Sequence, residues 1–202
     1  MLDCEFSPDG SRVAYRRESG VTPEIYITSL TGEAPVRLYN DPRKIWQRGP
    51  SWSPDGNWIA YYTLHGGKNA IMKIRVGSNS APELVAQTAV PNPVRWSPRG
   101  DWILWNDDRK LSLVSPDGKQ RRLLSEKEWF TYGWSKDGNS IYGISMAENR
   151  RLFVSRIDVA SSREEVVTDL GPLPAAMDLA SFAEDFPYRG FSLHAKASLR
   201  RR

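Results

Sequence analysis

"WSPDGNWIAYYT", Trp52 to Thr63, sets chemistry against architecture. Serine next to proline and aspartate invites a nucleophile; proline and glycine two residues apart invite a tight turn. The rest of the chain decides between them, because the pattern recurs. "FSPDGSRVAY" begins at Phe6, "WSPRGDWILW" at Trp96 and "WSKDGNSIYG" at Trp134. Proline presets φ, serine and aspartate satisfy nearby backbone groups, and glycine takes the left-handed conformation that ends the turn. The third copy has Arg99 for aspartate and the fourth has Lys136 for proline, yet all four keep glycine. A backbone requirement predicts that selection, and a catalytic one does not.

Gly10, Gly56, Gly100 and Gly138 lie 46, 44 and 38 residues apart, close to the ~40–45 residues of a four-stranded propeller blade. A further strand-like run follows each copy: "EIYITSL" from Glu24, "AIMKIRV" from Ala70, "KLSLVS" from Lys110 and "RLFVSRI" from Arg151. Turn pairs come next, at Thr31-Gly32, Ser78-Asn79, Asp117-Gly118 and Ser161-Ser162. A fourth run, "APVRLY", "PELVAQ", "QRRLLS" or "EEVVTD", completes each unit. Ser115 to Gly118 also reads Ser-Pro-Asp-Gly, but it occupies the other hairpin of its unit. The pattern predicts an all-β propeller of about four four-stranded blades in an incomplete, open ring. The blades fall near 1–45, 46–90, 91–127 and 128–170. Residues 171–202 are read as an irregular connection, a degenerate restart at "FSLHAK" from Phe191, and a basic tail.

The repeated W-S-P-D-G-x-x-I-A pattern, with its phased second strand, resembles the TolB-like propeller repeats over roughly residues 4 to 170. That resemblance implies a β-propeller. It also implies one of several roles, since such repeats occur in periplasmic TolB proteins, in sensor regions of bacterial kinases and regulators, and ahead of the catalytic domain of prolyl-oligopeptidase-type hydrolases. Related propellers are often periplasmic or extracytoplasmic, although this sequence itself does not define a compartment. Four units are fewer than such propellers usually hold, so the resemblance points to a truncated member or one module of a longer bacterial protein.

Composition narrows the classes further. With 40% apolar and 26% charged residues, eight Trp and eight Tyr, the chain reads as globular and strand-rich. Cys4 is the only cysteine, so neither an intrachain disulfide nor a cysteine zinc cluster can form. The net charge of +4 comes entirely from Lys196, Arg200, Arg201 and Arg202, which leaves the rest of the chain neutral and gives no basic patch for nucleic acid. No apolar run approaches the ~18 residues that span a bilayer, and "MLDCEFSPDG" has no leader pattern. No membrane insertion by this chain is expected.

A catalytic apparatus is not legible. Gly133-Trp134-Ser135-Lys136-Asp137 and Gly143-Ile144-Ser145-Met146-Ala147 both lack the closing glycine of a nucleophile elbow. The only histidines are His65, in the glycine-rich "LHGGKN", and His194. No metal-binding spacing occurs, and "LHGGK" is too short for a phosphate-binding loop. The expectation is therefore no catalytic residues, no cofactor and no metal. The chain reads as a non-enzymatic module for protein interaction or ligand sensing, the rival being the propeller region of a hydrolase whose catalytic domain lies elsewhere.

Binding is expected on the rim opposite the Pro-Asp-Gly turns, through Arg43, Trp46, Arg48, His65, Trp129 and Phe130, because aromatics and arginines are enriched at hot spots. The competing assignment for Trp46 and Trp129 is packing between blades. Self-association through open blade edges is the second expectation, with closure of a four-bladed ring by residues 186–193 as its rival.

Overall fold

The computed structural model describes residues 4–19, 22–40, 47–78, 80–89, 93–107 and 110–173. They form four antiparallel sheets, each a four-stranded meander. The first holds β1 (Cys4–Phe6), β2 (Arg12–Ser19), β3 (Thr22–Ser29) and β4 (Val36–Arg37). The second holds β5 (Gln47–Trp52), β6 (Trp58–His65), β7 (Lys68–Arg75) and β8 (Glu83–Gln87). The third holds β9 (Arg95–Trp96), β10 (Ile103–Asp107), β11 (Lys110–Val114) and β12 (Arg121–Ser125), and the fourth holds β13 (Glu128–Trp134), β14 (Ser140–Met146), β15 (Arg151–Asp158) and β16 (Glu164–Pro172). This is an all-β, open propeller of four blades. The expected fourth run of the first blade, "APVRLY", shrinks to the pair Val36–Arg37. The proposed closure through residues 186–193 lies outside the described residues.

The repeat is equivalent in register as well as in sequence. Phe6 pairs with Val13, Trp52 with Ile59, Trp96 with Ile103 and Trp134 with Ile141. Each aromatic ends its sheet's first strand. In the turn that follows, the glycine N–H donates to the serine carbonyl at 2.8–3.0 Å in all four copies. The glycines have φ of 71°, 69°, 80° and 70°, where a Cβ would be strained.

Side chains lock the same turn from within. In the first, second and fourth copies the serine hydroxyl donates to the aspartate, and the same aspartate accepts the backbone N–H two residues on. The serine oxygen also accepts from the first residue of the next strand at 2.9 Å. In the third copy, where Arg99 replaces the aspartate, Asp101 takes over and accepts from Ser97 at 2.8 Å. Ser115-Pro116-Asp117-Gly118 forms the same bonded turn, but between β11 and β12.

Packing links each sheet to the next. We call front the face that carries the terminal aromatic and back the opposite face. On the second sheet's front, Trp52, Ile59, Tyr61, Met72 and Ile74 pack on Ala14, Ile25 and Ile27 from the first sheet's back. Ala60 and Ile71 on the second sheet's back meet Trp96, Ile103, Trp105 and Val114 of the third. The third sheet's Leu104, Leu111 and Leu113 meet Trp129, Tyr132, Ile141 and Ile157 of the fourth. Burying an isoleucine such as Ile59, fully enclosed here, contributes about 1.5–3 kcal/mol, so these three interfaces hold the arc together.

The turn hydrogen bonds carry a pH dependence. Asp9 and Asp137 are lowered to about 2, first by the hydrogen bond from serine and then by the backbone N–H. A carboxylate depressed in the folded state contributes stability above its unfolded pKa and loses it as pH falls through the folded one. Stability is therefore predicted to decline as pH drops from ~4 to about 2. Urea unfolding of wild type against Asp9→Asn with Asp137→Asn measures this. The double variant should show a shallower acid slope, and an unchanged slope would contradict the assignment.

Candidate functional site

The expected rim residues do not form one constellation. Arg43 and Trp46 lie outside the described residues. Arg48 is exposed on β5 and stands opposite Tyr62 of β6. His65 is the last residue of β6 rather than part of the loop, and it is half-buried. Because side chains alternate along a strand, Arg48 and His65 project from opposite faces of the second sheet.

Trp129 needs correction as a binding residue. It is buried at 3% exposure, and its Nε1 donates to Ser125 Oγ at 3.1 Å. It packs in the cluster between the third and fourth sheets, which is the alternative that the sequence had offered. Asn106 of the third sheet donates to its carbonyl at 2.9 Å. A bulge between Trp129 and Thr131 interrupts the β13 register, and a Cβ on Gly143 would lie 2.1 Å from the Thr131 carbonyl oxygen and 2.9 Å from the Trp129 ring. The glycine opens room for the indole. Phe130, displaced by the bulge, is half-buried against Ile144, Met146, Leu152 and Leu173.

Around Arg48 the rim is hydrogen-bonded. Tyr62 donates from its hydroxyl to Asn69 Oδ1 at 2.9 Å, and Asn69 donates to the Ala89 carbonyl at 2.9 Å. Burial raises the Tyr62 hydroxyl to about 12 against the opposing effect of Arg48, so it remains a neutral donor. From the fourth sheet, the Tyr132 hydroxyl donates to the Pro93 carbonyl at 3.0 Å. These groups fix strand ends, and Arg48 is the exposed side chain of this stretch of β5.

A second polar set, on the inner strands, escaped the sequence reading. Glu5, Ser51 and Arg95 each precede their sheet's terminal aromatic. Glu5 accepts the Trp52 backbone N–H at 2.9 Å, and its carbonyl accepts the Trp52 indole N–H at 3.1 Å. Ser51 Oγ accepts the Trp96 backbone N–H at 2.9 Å, and the Arg95 carbonyl accepts the Trp134 indole N–H at 3.1 Å. Inter-sheet hydrogen bonds thus run along the inner strands. Burial raises the Glu5 carboxyl, while Arg95, the Trp52 N–H and Ser51 pull it back. The legible signal would have been the residue before each repeat's aromatic, which is polar in three copies.

The chain belongs to the TolB β-propeller domain family, whose pattern matches residues 2–128. An uncharacterised protein of Agrobacterium fabrum is 25% identical, over 66% of this chain and 51% of its own length. The chain thus spans about half the length of the curated relative it matches. The structure superposes on TolB from Acinetobacter baumannii with a TM-score of 0.70 at 17% identity, over 84% of this chain and 44% of that one. A puromycin-hydrolysing peptidase of Mycobacterium tuberculosis superposes with a TM-score of 0.65 at 19% identity, over 85% of this chain and 30% of that one. Likeness at these identities shows the fold alone.

Glu5 gives a test of the inner-strand hydrogen bonds. Glu5→Gln keeps an acceptor for Trp52 without a buried charge, so at neutral pH it should unfold no earlier than wild type. Glu5→Ala leaves that N–H without its acceptor and should cost about 1–3 kcal/mol. Thermal or urea unfolding distinguishes them, and equal losses for both would contradict the role assigned to the carboxyl.

Proposed function

We propose that this chain is a non-enzymatic propeller module that serves, as part of a larger bacterial protein, to bind a protein partner or small ligand on its rim. The observation that carries this reading is how the serines and aspartates of the motif are used. In the first, second and fourth turns the serine hydroxyl is held between a carboxylate and a strand N–H, and in the third between Asp101 and the Arg99 N–H, an arrangement suited to orienting a backbone rather than to activating a nucleophile. Ser135 has Asp137 and the Ser140 N–H as its partners among the described residues. Among the described residues, no group of three His, Cys, Asp or Glu side chains is placed to hold a metal ion. Binding rests on Arg48, His65 and Phe130, which remain exposed or half-buried at strand ends. The near-neutral charge of the chain ahead of its basic tail argues against nucleic acid as the ligand. Among the described residues, no helix is long and apolar enough to cross a membrane.

The hydrolase-propeller reading stands second, supported by superposition on the propeller of a peptidase of which this chain covers 30%. It places the chemistry in a separate catalytic domain joined to these sheets.

The purified chain is predicted not to turn over small ester or peptide substrates in a chromogenic assay. Turnover lost on Ser135→Ala or His65→Ala would overturn the non-enzymatic reading. For binding, Arg48→Glu should weaken retention of whatever ligand the immobilised chain captures from extract by at least about tenfold. Equal retention would move the binding surface away from Arg48.

A further inference from the structure

The repeat shows what the inner edge of each sheet is built to hold. In the second, third and fourth sheets the serine after the terminal tryptophan closes the turn with its N–H: Ser53 donates to the Trp58 carbonyl, Ser97 to that of Trp102 and Ser135 to that of Ser140. Antiparallel pairing alternates between bonded and non-bonded residues, so the N–H of the residue before, Trp52, Trp96 or Trp134, points away from its own sheet. Each of these donors therefore needs an acceptor from outside its ladder. The preceding sheet supplies one twice. Glu5 offers a carboxylate to the Trp52 N–H at 2.9 Å, and Ser51 offers a hydroxyl oxygen to the Trp96 N–H at 2.9 Å.

At the third step the chemistry reverses. Arg95 stands where Glu5 and Ser51 stand, and a guanidinium can only donate. The two sheets keep the same relation as the first pair, because the Arg95 carbonyl accepts the Trp134 indole N–H at 3.1 Å just as the Glu5 carbonyl accepts that of Trp52. Yet no side-chain acceptor meets the Trp134 backbone N–H among the described residues. The Arg95 Nη1 donates to the Val94 carbonyl at 3.1 Å, and no carboxylate among the described residues forms an ion pair with this guanidinium. Burial raises the Glu5 carboxyl and Arg95 pulls it back, but Glu5 is held by Trp52 and Ser51, two sheets from Trp134. Gly133 follows Glu5, Ser51 and Arg95 as the fourth member of the series. Its φ is not positive, and a Cβ there would meet nothing within 4 Å. The step is open on that side.

We propose that Arg95 and the Trp134 backbone N–H together bind the carboxylate of a small-molecule ligand on the inner edge between the third and fourth sheets. The ligand class follows from the first step, where the same backbone donor already holds a carboxylate, and from the guanidinium fork, which fits a carboxylate through two parallel hydrogen bonds. Arg95, Gly133 and Trp134 are all half-buried, so the ligand must be small enough to reach them. Both donors belong to sheets packed directly on each other, and the site is complete between them. It lies on the inner strands, apart from the rim surface around Arg48, and stands or falls independently of it.

Amide correlation NMR of the chain, titrated with sodium acetate, tests this against sodium chloride at matched ionic strength and against acetamide, the neutral isostere. The Trp134 backbone amide should shift saturably with acetate in the millimolar range, while the Trp52 and Trp96 amides, already bonded to Glu5 and Ser51, stay in place. Arg95→Met removes the charge without adding an acceptor and should weaken the response at least about tenfold. Arg95→Ser brings the Ser51 arrangement to the third step, so it should move the Trp134 amide without any ligand and abolish the response to acetate. Unchanged amides in β6 and β7 show that each variant folds. A Trp134 amide that ignores acetate, or moves as much with chloride or acetamide, would overturn the proposal. So would an acetate response that survives either substitution at full strength.

Discussion

The tryptophan that ends the first strand of the second, third and fourth sheets, pressed onto the back of the preceding sheet, is the contact on which the rest of the structure depends. It sits at the junction of turn and core. The bonded Ser-Pro-Asp-Gly turn places it, the residue before it exchanges inter-sheet hydrogen bonds, and the apolar rows of the middle strands continue its interface outward. Even the turns are stacked: a Cβ on Gly100 would lie 3.3 Å from Pro54 Cγ, and one on Gly138 2.7 Å from Arg99 Cγ. Each unit is completed by a neighbour, which is how a repeat array gains stability.

That dependence explains why the fold was legible. A turn that needs a positive φ selects glycine, and a period-two strand selects alternating apolar residues. Four copies in phase make the blade unmistakable, and even the misleading Ser115–Gly118 copy was placed correctly because its phase differs. The strand ends were less legible. The first blade's last strand is two residues long, and His65 ends a strand instead of lying in a loop. Two glycines at 66 and 67 are enough for the hairpin turn, so the strand runs further than composition suggests.

The site was legible only in part, for a physical reason. Aromatics serve cores and binding surfaces alike, and nothing local separates Trp129 from an exposed tryptophan. The decisive feature is Gly143, across the strand pair, whose missing side chain leaves space for the indole. Glu5 and Ser51 were overlooked because their role lies in the neighbouring sheet's backbone, 45 to 47 residues away. Long-range partners of this kind leave no trace in local spacing.

If stability passes from sheet to sheet, it must be greatest where a sheet has neighbours on both faces. Native-state hydrogen exchange of the dilute chain measures this directly. The account predicts the slowest amides in β6, β7, β10 and β11, and faster exchange in β2, β3, β14 and β15. Equal protection across all four sheets, or slower exchange in the end sheets, would contradict it.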